Sequence, residues 1–584
     1  MSHAVEVPVG GAAVGGLPGL EFAPGTNLSG DLSVADWRFL LPELRLDVAL
    51  LVGVPPTPVL AALARTVGTI VVAASDTAAV RRVRDAARER GLGNVQPLLA
   101  AWPARLPLAP RSVGLVALCE PVAVARALAH PRSADELARL LAPGGTIYLE
   151  LHRHADLLRA RRWSARLAGH GLATPQAYWL LQRREGGIRL AAPVEAPEAV
   201  RYAFDHVLYG GSRRAVLLRQ AGRWASRIGL HRPLVPHRAL VFHHRATGDG
   251  HASPGPAHYL TELANRAGVE LGPCQPAFFA RGAYDSNKVA FFLFGPTARE
   301  PEIVVKMTRA PRYNHRLEAE CHALTRLRRD GLADAGTYPE ALFLGHHHDL
   351  AVLAQRVVRG SPFRTRTRGD TDCPFALAAV EWIETLGARS AVPAADAGEL
   401  PRTLEELLAR FERIHALSPM ERGFLRERLH VLGTLPGGVP SVFQHGDAGT
   451  WNVLVTPDDR VAFLDWEVSS ARGVPLWDLV DFLRSYGSWA ARARGERDMV
   501  RAYAAHFVAP SPFSELQAEA VLRYRTRIGV PREAVEALFF SCWMHRAVRE
   551  AAWSAQPPER GLYVNLVRRC IRQRSAEGLR WLFD

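Results

Sequence analysis

The sequence predicts an α/β protein in two folded parts, an amino-terminal doubly wound sheet followed by an α+β domain. Strand-like and helix-like segments alternate from about residue 30 to residue 195. A Gly- and Pro-rich stretch at 246–256 then precedes a loop, two strands and an isolated lysine. Alternation of this length is typical of a mostly parallel sheet. A chain of 584 residues is also too long for a single core.

The composition is that of an ordinary globular protein, with 48% hydrophobic and 22% charged residues. Residues 1–29 are rich in Gly, Ala and Val without the basic start of a signal peptide, and they predict a loose leader. Every apolar run of about 18 residues is interrupted by Pro, Gly or charge, so we expect no membrane-spanning helix. The six cysteines include no CxxC pair, which indicates a reducing compartment and a cytoplasmic protein.

The first predicted domain spans residues 30–245 and contains four clear strands and two helices. The strands are expected at 48–52, 69–73, 113–118 and 146–151, and the helices at 58–65 and 78–90. The strands read as short, continuous apolar runs, which is typical of strands buried on both faces of a parallel sheet.

Residues 140–147 and Asp76, at the end of the second strand, resemble a class I S-adenosylmethionine-dependent methyltransferase, which implies a Rossmann-like fold. Residues 52–58 stand where that family has its glycine-rich cofactor loop. Their three prolines restrict the backbone and remove amide donors. Gly114 also stands at an acidic position of the family. The sequence therefore argues against S-adenosylmethionine as a cofactor, and we expect a degenerate domain kept for folding or partner contact.

Residues 211–230 predict a basic amphipathic helix, with Leu217 and Trp224 on one face and Arg219 and Arg223 on another. Packing against a neighbouring domain and peripheral contact with a membrane surface both stay open for it. The formal charge of +14 is spread over the whole chain without a dense basic tract. We therefore expect no specific nucleic-acid partner.

Only Lys288 and Lys306 are lysines among the 72 Lys and Arg residues. Against such a bias, a retained lysine indicates a position where a compact ammonium does what a guanidinium cannot. Lys306 projects from a predicted strand at 303–307 and should be partly buried, which requires a partner. Glu320 on the following helix is the expected partner, with Glu318 as the alternative.

A predicted hairpin further along the chain carries two acids and an amide. Its strands are 453–455 and 461–464, and folding would bring Asp447, Asn452 and Asp465 around one point. Phosphoryl transfer needs such a cluster, because a carboxylate must orient the attacking hydroxyl and oxygen ligands must hold magnesium on the nucleotide.

These motifs together resemble the aminoglycoside phosphotransferase and choline kinase-like superfamily, over residues from about 275 to 490. The matching residues are Ser286, Asn287, Lys306, Glu320, 445–447, Asn452, 465–467 and 475–479. The resemblance implies a bilobal α+β protein-kinase-like domain, with an N-lobe at 257–360 and a C-lobe with a helical acceptor region at 361–584.

The resemblance also implies a role for each residue. The implied roles are a catalytic base at Asp447, magnesium ligands at Asn452 and Asp465, and nucleotide contacts at Ser286, Asn287, Lys306 and Glu320. An aspartate at position 478 would brace the catalytic segment. The implied cofactors are Mg²⁺ and ATP, with GTP as an alternative donor.

The expected acceptor is the hydroxyl of a small molecule. Gly446 replaces the arginine of protein kinases, and only twelve residues separate Asp465 from Asp478, too few for a peptide platform. Residues 481–584 contain 17 arginines against 11 Asp and Glu, which does not favour a polycation.

We therefore expect ATP-dependent phosphorylation of a sugar, aminoglycoside or glycan-like acceptor. Two alternatives stay open, a bifunctional sugar kinase–methyltransferase that acts on a polysaccharide end and a pseudokinase scaffold.

Overall fold

A computed structural model describes most of the chain. The described residues are 32–100, 102, 105–182, 187–204, 217, 220–222, 224–226, 237–243, 257–280, 287–554 and 557–583. They form two compact units, an amino-terminal unit (26–325 with 336–362) and a carboxy-terminal unit (326–335 with 363–584). The predicted leader, the predicted linker, Ser286 and most of the predicted helix at 211–230 lie outside the described residues. The domain boundaries drawn from the sequence stay a prediction.

The amino-terminal unit is built on one sheet that contains the first thirteen of its fourteen described strands. The strands of the unit are β1 (Leu46–Val52), β2 (Val67–Ala74), β3 (Val95–Leu99), β4 (Val113–Leu118), β5 (Leu141–Leu151), β6 (Gln176–Gln182), β7 (Ile188–Pro193), β8 (Arg238–His243), β9 (Gln275–Phe279), β10 (Lys288–Phe294), β11 (Ile303–Thr308), β12 (Ala341–His347), β13 (Leu350–Arg356) and β14 (Ser361–Pro362). The helices are α1 (Thr57–Leu63), α2 (Thr77–Glu89), α3 (Pro121–Ala129), α4 (Pro131–Leu140), α5 (His154–Gly169), α6 (Pro197–Tyr202), α7 (His258–Arg266) and α8 (Asn314–Arg329), with 3-10 turns at Asp36–Leu40 and Pro311–Tyr313.

The predicted doubly wound sheet is confirmed. Strands β3, β2, β1, β4 and β5 lie side by side in that order and pair in parallel. The register between β4 and β5 shifts, because Val113 pairs with Leu141 while Leu115 pairs with Thr146. Residues 142–145 therefore form an irregularity within β5, and the strand begins five residues earlier than expected.

The sheet continues without a break into the strands that carry Lys306. Beyond β5 the order is β8, β6, β7, β9, β10, β11, β13 and β12, and each neighbouring pair is antiparallel. Strands β7 and β9 form the junction, where Leu190 pairs with Phe279 and Ala191 with Phe278. This pairing covers two strand edges that would otherwise expose unpaired backbone groups.

The hydrophobic core crosses the same junction. Buried side chains of the doubly wound part, such as Leu60 and Val72, belong to one cluster with Phe278, Val305 and Val352 of the later strands. The doubly wound part and the later antiparallel strands therefore share one hydrophobic core in the amino-terminal unit.

The carboxy-terminal unit is mainly helical. Its helices are α9 (Phe363–Arg366), α10 (Pro374–Ser390), α11 (Glu399–Ile414), α12 (Pro419–Gly433), α13 (Trp477–Ala493), α14 (Met499–Tyr503), α15 (Pro512–Ile528), α16 (Val535–Trp553), α17 (Leu562–Arg572) and α18 (Glu577–Phe583), with short turns at Ala504–Val508, Arg532–Ala534 and Pro558–Arg560. Its strands are β15 (Val442–Gln444), β16 (Val453–Val455), β17 (Val461–Phe463) and β18 (Ser470–Gly473). Strands β16 and β17 form the predicted antiparallel hairpin.

All six cysteines are free thiols. Within the part of the chain that the structure describes, no helix is both long enough and apolar enough to cross a bilayer.

Candidate active site

The β16–β17 hairpin places Asn452 against Asp447. Asn452 Nδ2 donates to the main-chain oxygen of Asp447 and to its Oδ2, both at 2.9 Å. An amide offers two donors, so both are used here and Oδ1 remains as its acceptor atom. The structure therefore orients Asn452 with its oxygen free to act as a ligand to a hard cation.

Asp465 follows β17 by two residues. The main-chain nitrogen of Leu464 donates to Asn452 O at 2.8 Å, and His445 Nε2 lies 3.0 Å from Leu464 O. These contacts bring the backbone at Asp465 beside the catalytic segment. Asp465 itself has φ +71°, a left-handed conformation that is uncommon for a residue other than glycine and that clusters at functional sites.

Two further side chains bind the carboxylate of Asp447. Trp451 Nε1 donates to Oδ2 at 3.0 Å, and Arg546 Nη1 on α16 donates to Oδ1 at 3.0 Å. Burial raises the pKa of Asp447, but the charges of Arg546 and Arg549 and these hydrogen bonds outweigh burial, so that the pKa is lowered overall. Asp447 is thus ionised at neutral pH.

Two arginines, Arg546 and Arg549, lie next to Asp447, and Arg546 links it to the Asp481 carboxylate. Arg546 Nη2 also donates to Gly446 O at 3.2 Å and to Asp481, while Arg549 Nη1 donates to Gly446 O at 3.1 Å. Arg484 Nη2 donates to Asp481 Oδ1 at 2.6 Å. The Asp447 carboxylate thus lies next to two guanidinium groups, and Asp481 offsets part of their charge.

Asp478 holds the loop that carries Asp447. Its two carboxylate oxygens accept hydrogen bonds from the main-chain nitrogens of His445 at 2.6 Å and Gly446 at 2.9 Å. Burial raises the pKa of Asp478, and these two hydrogen bonds oppose that effect. Gly446 has φ +79°, and a Cβ atom there would lie 2.2 Å from Val468 O. Only glycine fits this position, which accounts for the absence of the arginine found in protein kinases.

The amino-terminal unit contains the second group of predicted residues. Lys306 Nζ on β11 lies 2.5 Å from Oε1 of Glu320 on α8, and Lys288 Nζ at the start of β10 lies 4.0 Å from Oε2. Glu320 is fully buried. The two lysines of the chain therefore meet at one buried carboxylate, and Glu320 rather than Glu318 is the partner of Lys306.

Asn287 is held through its backbone. Asn287 O accepts a hydrogen bond of 2.9 Å from Arg309 N, and Arg309 Nη1 donates to Lys288 O at 2.7 Å. Arg309 in turn forms a fully buried, bidentate ion pair with Asp36, at 2.8 and 2.7 Å. The segment after the predicted phosphate loop thus depends on a residue from the first domain.

The positions that resemble a methyltransferase make local contacts. Glu120 Oε2 accepts a hydrogen bond of 3.1 Å from Val54 N, and a Cβ on Gly53 would lie 2.2 Å from that oxygen. Asp76 Oδ1 caps helix α2 by accepting from Ala79 N at 2.7 Å. The Glu120 carboxylate thus contacts the backbone of the loop at 52–58. That S-adenosylmethionine is not used stays a prediction.

Sequence reasoning missed Arg546 and Arg549 and assigned no role to Trp451. Arg546 lies 99 residues after Asp447, inside helix α16, and no local motif marks it. The one available signal is an arginine among the apolar residues of that helix, since buried arginines are almost always paired.

Part of the chain is similar to a known protein family. Residues 286–513 match the model described as the phosphotransferase enzyme family. No curated protein matches the sequence significantly. The match confirms the predicted resemblance and the kinase-like fold class for this part of the chain, and it ends before Arg546.

The solved structures that match parts of the chain include the following three. Aminoglycoside phosphotransferase APH(3'')-Id from Streptomyces rimosus, solved with ADP and streptomycin, is 19% identical with a TM-score of 0.30 and covers 51% of this chain and 98% of its own. YcgJ from Bacillus subtilis is 16% identical with a TM-score of 0.22, over 35% and 95%. A SAM-dependent methyltransferase from Aquifex aeolicus is 14% identical with a TM-score of 0.20, over 26% and 90%.

Proposed function

We propose that the protein is an ATP-dependent phosphotransferase that moves the γ-phosphate to a hydroxyl group of a small molecule. The observation that carries the proposal is the arrangement at Asp447, where a carboxylate with a lowered pKa lies in contact with an amide whose oxygen is free. The family match at 286–513 supports the same reaction class.

Asp447 suits the orienting role better than that of a strong base. Trp451 and Asn452 both donate to Oδ2, whereas Oδ1 accepts only from Arg546 among the described residues and keeps a lone pair for the acceptor hydroxyl. Phosphoryl transfer passes through a loose transition state, so positioning and electrostatics contribute more than proton abstraction early in the reaction. Asp447 then accepts the proton as the oxygen–phosphorus bond forms.

Asn452 and Asp465 provide the donor set that Mg²⁺ prefers, an amide oxygen and a carboxylate. When bound, the ion would neutralise charge on the nucleotide phosphates. Lys306, oriented by buried Glu320, supplies a fixed ammonium for the α- and β-phosphates, and Asn287 belongs to the phosphate loop in this assignment. The choice of ATP over GTP is part of the proposal.

Charge around Asp447 selects among acceptors. A polycationic aminoglycoside would meet Arg546 and Arg549 next to the reacting carboxylate, and like charges repel in a partly buried site. A sugar or glycan end that is neutral or carries an acidic group avoids this repulsion. We therefore rank neutral and anionic sugars above aminoglycosides.

The test is an ATP-consumption screen with magnesium, using neutral sugars, sugar acids, sugar phosphates and aminoglycosides. The wild-type chain should release ADP with an acceptor of the first three classes. Asp447→Asn should lower kcat by roughly 10²- to 10⁴-fold, which is the usual contribution of general acid–base catalysis.

Asp459→Asn is the matched control, because Asp459 lies in the turn of the same hairpin with its side chain 67% exposed. This variant should keep full turnover. Full turnover in Asp447→Asn would refute the site assignment. If the wild-type chain bound no nucleotide, the scaffold alternative would replace the phosphotransferase.

A further inference from the structure

A carboxylate and two imidazoles meet at the carboxyl edge of the doubly wound sheet, far in sequence from the kinase motifs. Glu150 is the penultimate residue of β5, and His152 follows the strand. Strand β8 is antiparallel to β5, with Leu151 opposite Arg238, so His237 enters the sheet beside them. In doubly wound folds, ligands bind at this edge of the sheet.

The three side chains present their donor atoms to one another. Glu150 Oε2 lies 3.7 Å from His237 Nε2 and 3.9 Å from His152 Nε2, and the donor atoms of all three residues lie within 4.8 Å of one another. Zn–N bonds of about 2.0–2.1 Å place tetrahedral donors roughly 3.3–3.4 Å apart, so a bound ion needs the two Glu150–His distances to shorten by about 0.5 Å and the His152–His237 distance by up to about 1.4 Å.

Hydrogen bonding leaves part of the cluster unsatisfied. Tyr148 donates to Glu150 Oε1 at 2.8 Å, and no described residue donates to Oε2. His237 Nε2 is buried without a hydrogen-bond partner among the described residues. His152 Nε2 lies 3.2 Å from Cys119 O, so metal binding requires that ring to give up this contact or to bind through Nδ1.

Charge balance also favours a cation here. The Glu150 side chain is only 8% exposed, and within the described chain no lysine or arginine lies within ion-pair distance of it. A buried carboxylate without a counter-charge is strongly destabilising. The imidazole rings of His152 and His237 lie 4.8 Å apart, on the same side of the cluster as this carboxylate oxygen.

We propose that Glu150, His152 and His237 bind one divalent transition-metal ion of the Zn²⁺ or Fe²⁺ class. Two imidazoles and one carboxylate are the donor set that these ions prefer, and three protein ligands leave coordination positions open for water or a small ligand. Tyr148 orients the carboxylate from the outer shell, as second-shell partners of metal ligands commonly do. The site is independent of the proposed phosphotransferase.

Cobalt titration of the full chain, after removal of metal with a chelator, tests the proposal. Co²⁺ alone should bind with one equivalent at this site and give visible d–d absorption typical of nitrogen and oxygen ligands. Outer-shell substitutions cost about 10- to 100-fold in metal affinity, so His237→Ala and Glu150→Gln should weaken binding by roughly 100-fold or more.

Three variants make the result specific. His243→Ala, at the other end of β8 and outside the cluster, should bind Co²⁺ like the wild type. Tyr148→Phe keeps the ring stack on Trp37 and should weaken binding about tenfold. His348→Ala removes the other candidate cluster, formed with Glu43 and His347, and should leave the band unchanged.

The outcomes separate clearly. Loss of the band in His237→Ala, with the band intact in His243→Ala and His348→Ala, supports the site. A band that survives His237→Ala, or that only His348→Ala removes, overturns it. If His237→Ala and Glu150→Gln fail to fold, Tyr148→Phe and His348→Ala decide. Weaker binding in Tyr148→Phe with the band intact in His348→Ala supports the site, whereas no band in the wild type, or unchanged binding in Tyr148→Phe, overturns it.

Discussion

Arg546 donates a hydrogen bond of 3.0 Å to Oδ1 of Asp447, although 99 residues separate the two in sequence. The Arg546 side chain is 9% exposed, and it also contacts Gly446 O and Asp481. One buried guanidinium therefore fixes the proposed catalytic carboxylate and the loop that carries it. Arg546 acts through Asp447, so we treat it as a positioning residue.

Removing Arg546 should shift the pH dependence of the reaction. Burial alone raises the pKa of Asp447, and the charge of Arg546 is the largest effect that lowers it. The proposed reaction needs ionised Asp447, so a lowered pKa keeps the enzyme active as the pH falls. In Arg546→Met the pKa rises, and activity should be lost at a higher pH than in the wild type.

The measurement is kcat and kcat/KM as functions of pH on the acidic side. Arg402→Met is the control, because it removes the same charge from an exposed ion pair with Asp396 in the same unit. Its acidic limb should coincide with that of the wild type. An unchanged acidic limb in Arg546→Met would show that the arginine does not set the state of Asp447.

The two lysines should differ in their importance for stability. Lys306→Met leaves fully buried Glu320 without its close partner at 2.5 Å, and breaking a buried ion pair costs about 3–5 kcal/mol. Lys288 lies 4.0 Å from the same carboxylate, so Lys288→Met should cost clearly less. Denaturant unfolding of both variants gives the comparison.

A second substitution checks the cause of that loss. Glu320→Gln added to Lys306→Met removes the stranded charge, and part of the lost unfolding free energy should return. Equal losses of unfolding free energy in Lys306→Met and Lys288→Met would show that Lys306 is not the main partner of Glu320. So would a double variant no more stable than Lys306→Met alone.

Local spacing explains what could be predicted from the sequence. Asp447 and Asn452 are five residues apart and the hairpin joins them to Asp465, so strand and turn patterns alone bring them near each other. Lys306 and Glu320 are separated by 14 residues across one strand–helix connection. Such contacts are fixed by secondary structure, and residue patterns reveal secondary structure.

Contacts between distant segments could not be predicted. The pairing of β7 with β9 joins the two parts of the sheet through Ala191 and Phe278, and both strands look like ordinary short apolar runs. Arg546 reaches Asp447 only because α16 packs beside the catalytic loop. Tertiary packing decides these contacts, and no periodicity in the sequence encodes which partner a helix or strand chooses.

Gly446 should be irreplaceable for a steric reason. Its φ of +79° disfavours any side chain, and a Cβ would also lie 2.2 Å from Val468 O. Gly437 has φ +78° but no atom within 4 Å of a Cβ position. Gly437→Ala should therefore cost only the left-handed backbone penalty of about 1–2 kcal/mol.

Gly446→Ala should lose more unfolding free energy than Gly437→Ala, and turnover should fall with it because Asp447 is the next residue. Thermal unfolding and kcat of the two variants provide the comparison. Equal stability of the two variants would mean that the loop moves away from Val468 without cost, and the steric argument would fail.

The buried pair of Asp36 and Arg309 should support the nucleotide segment from the first domain. Both side chains are fully buried, and Arg309 also holds Asn287 O and Lys288 O. Asp36→Asn removes the carboxylate of this buried ion pair, and breaking a buried ion pair costs about 3–5 kcal/mol. Because the strand after the phosphate loop then loses its anchor, nucleotide affinity should fall as well.

An exposed pair of the same geometry provides the control. Asp135 binds Arg166 through two hydrogen bonds of 2.8 and 2.7 Å, the same distances as in the buried pair, but its partner is 47% exposed. Solvent screens such a pair, so Asp135→Asn should change the unfolding free energy far less. Denaturant unfolding and ATP titration of both variants decide the matter. If Asp36→Asn matched Asp135→Asn in both measurements, the first domain would not stabilise the phosphate-binding segment through this ion pair.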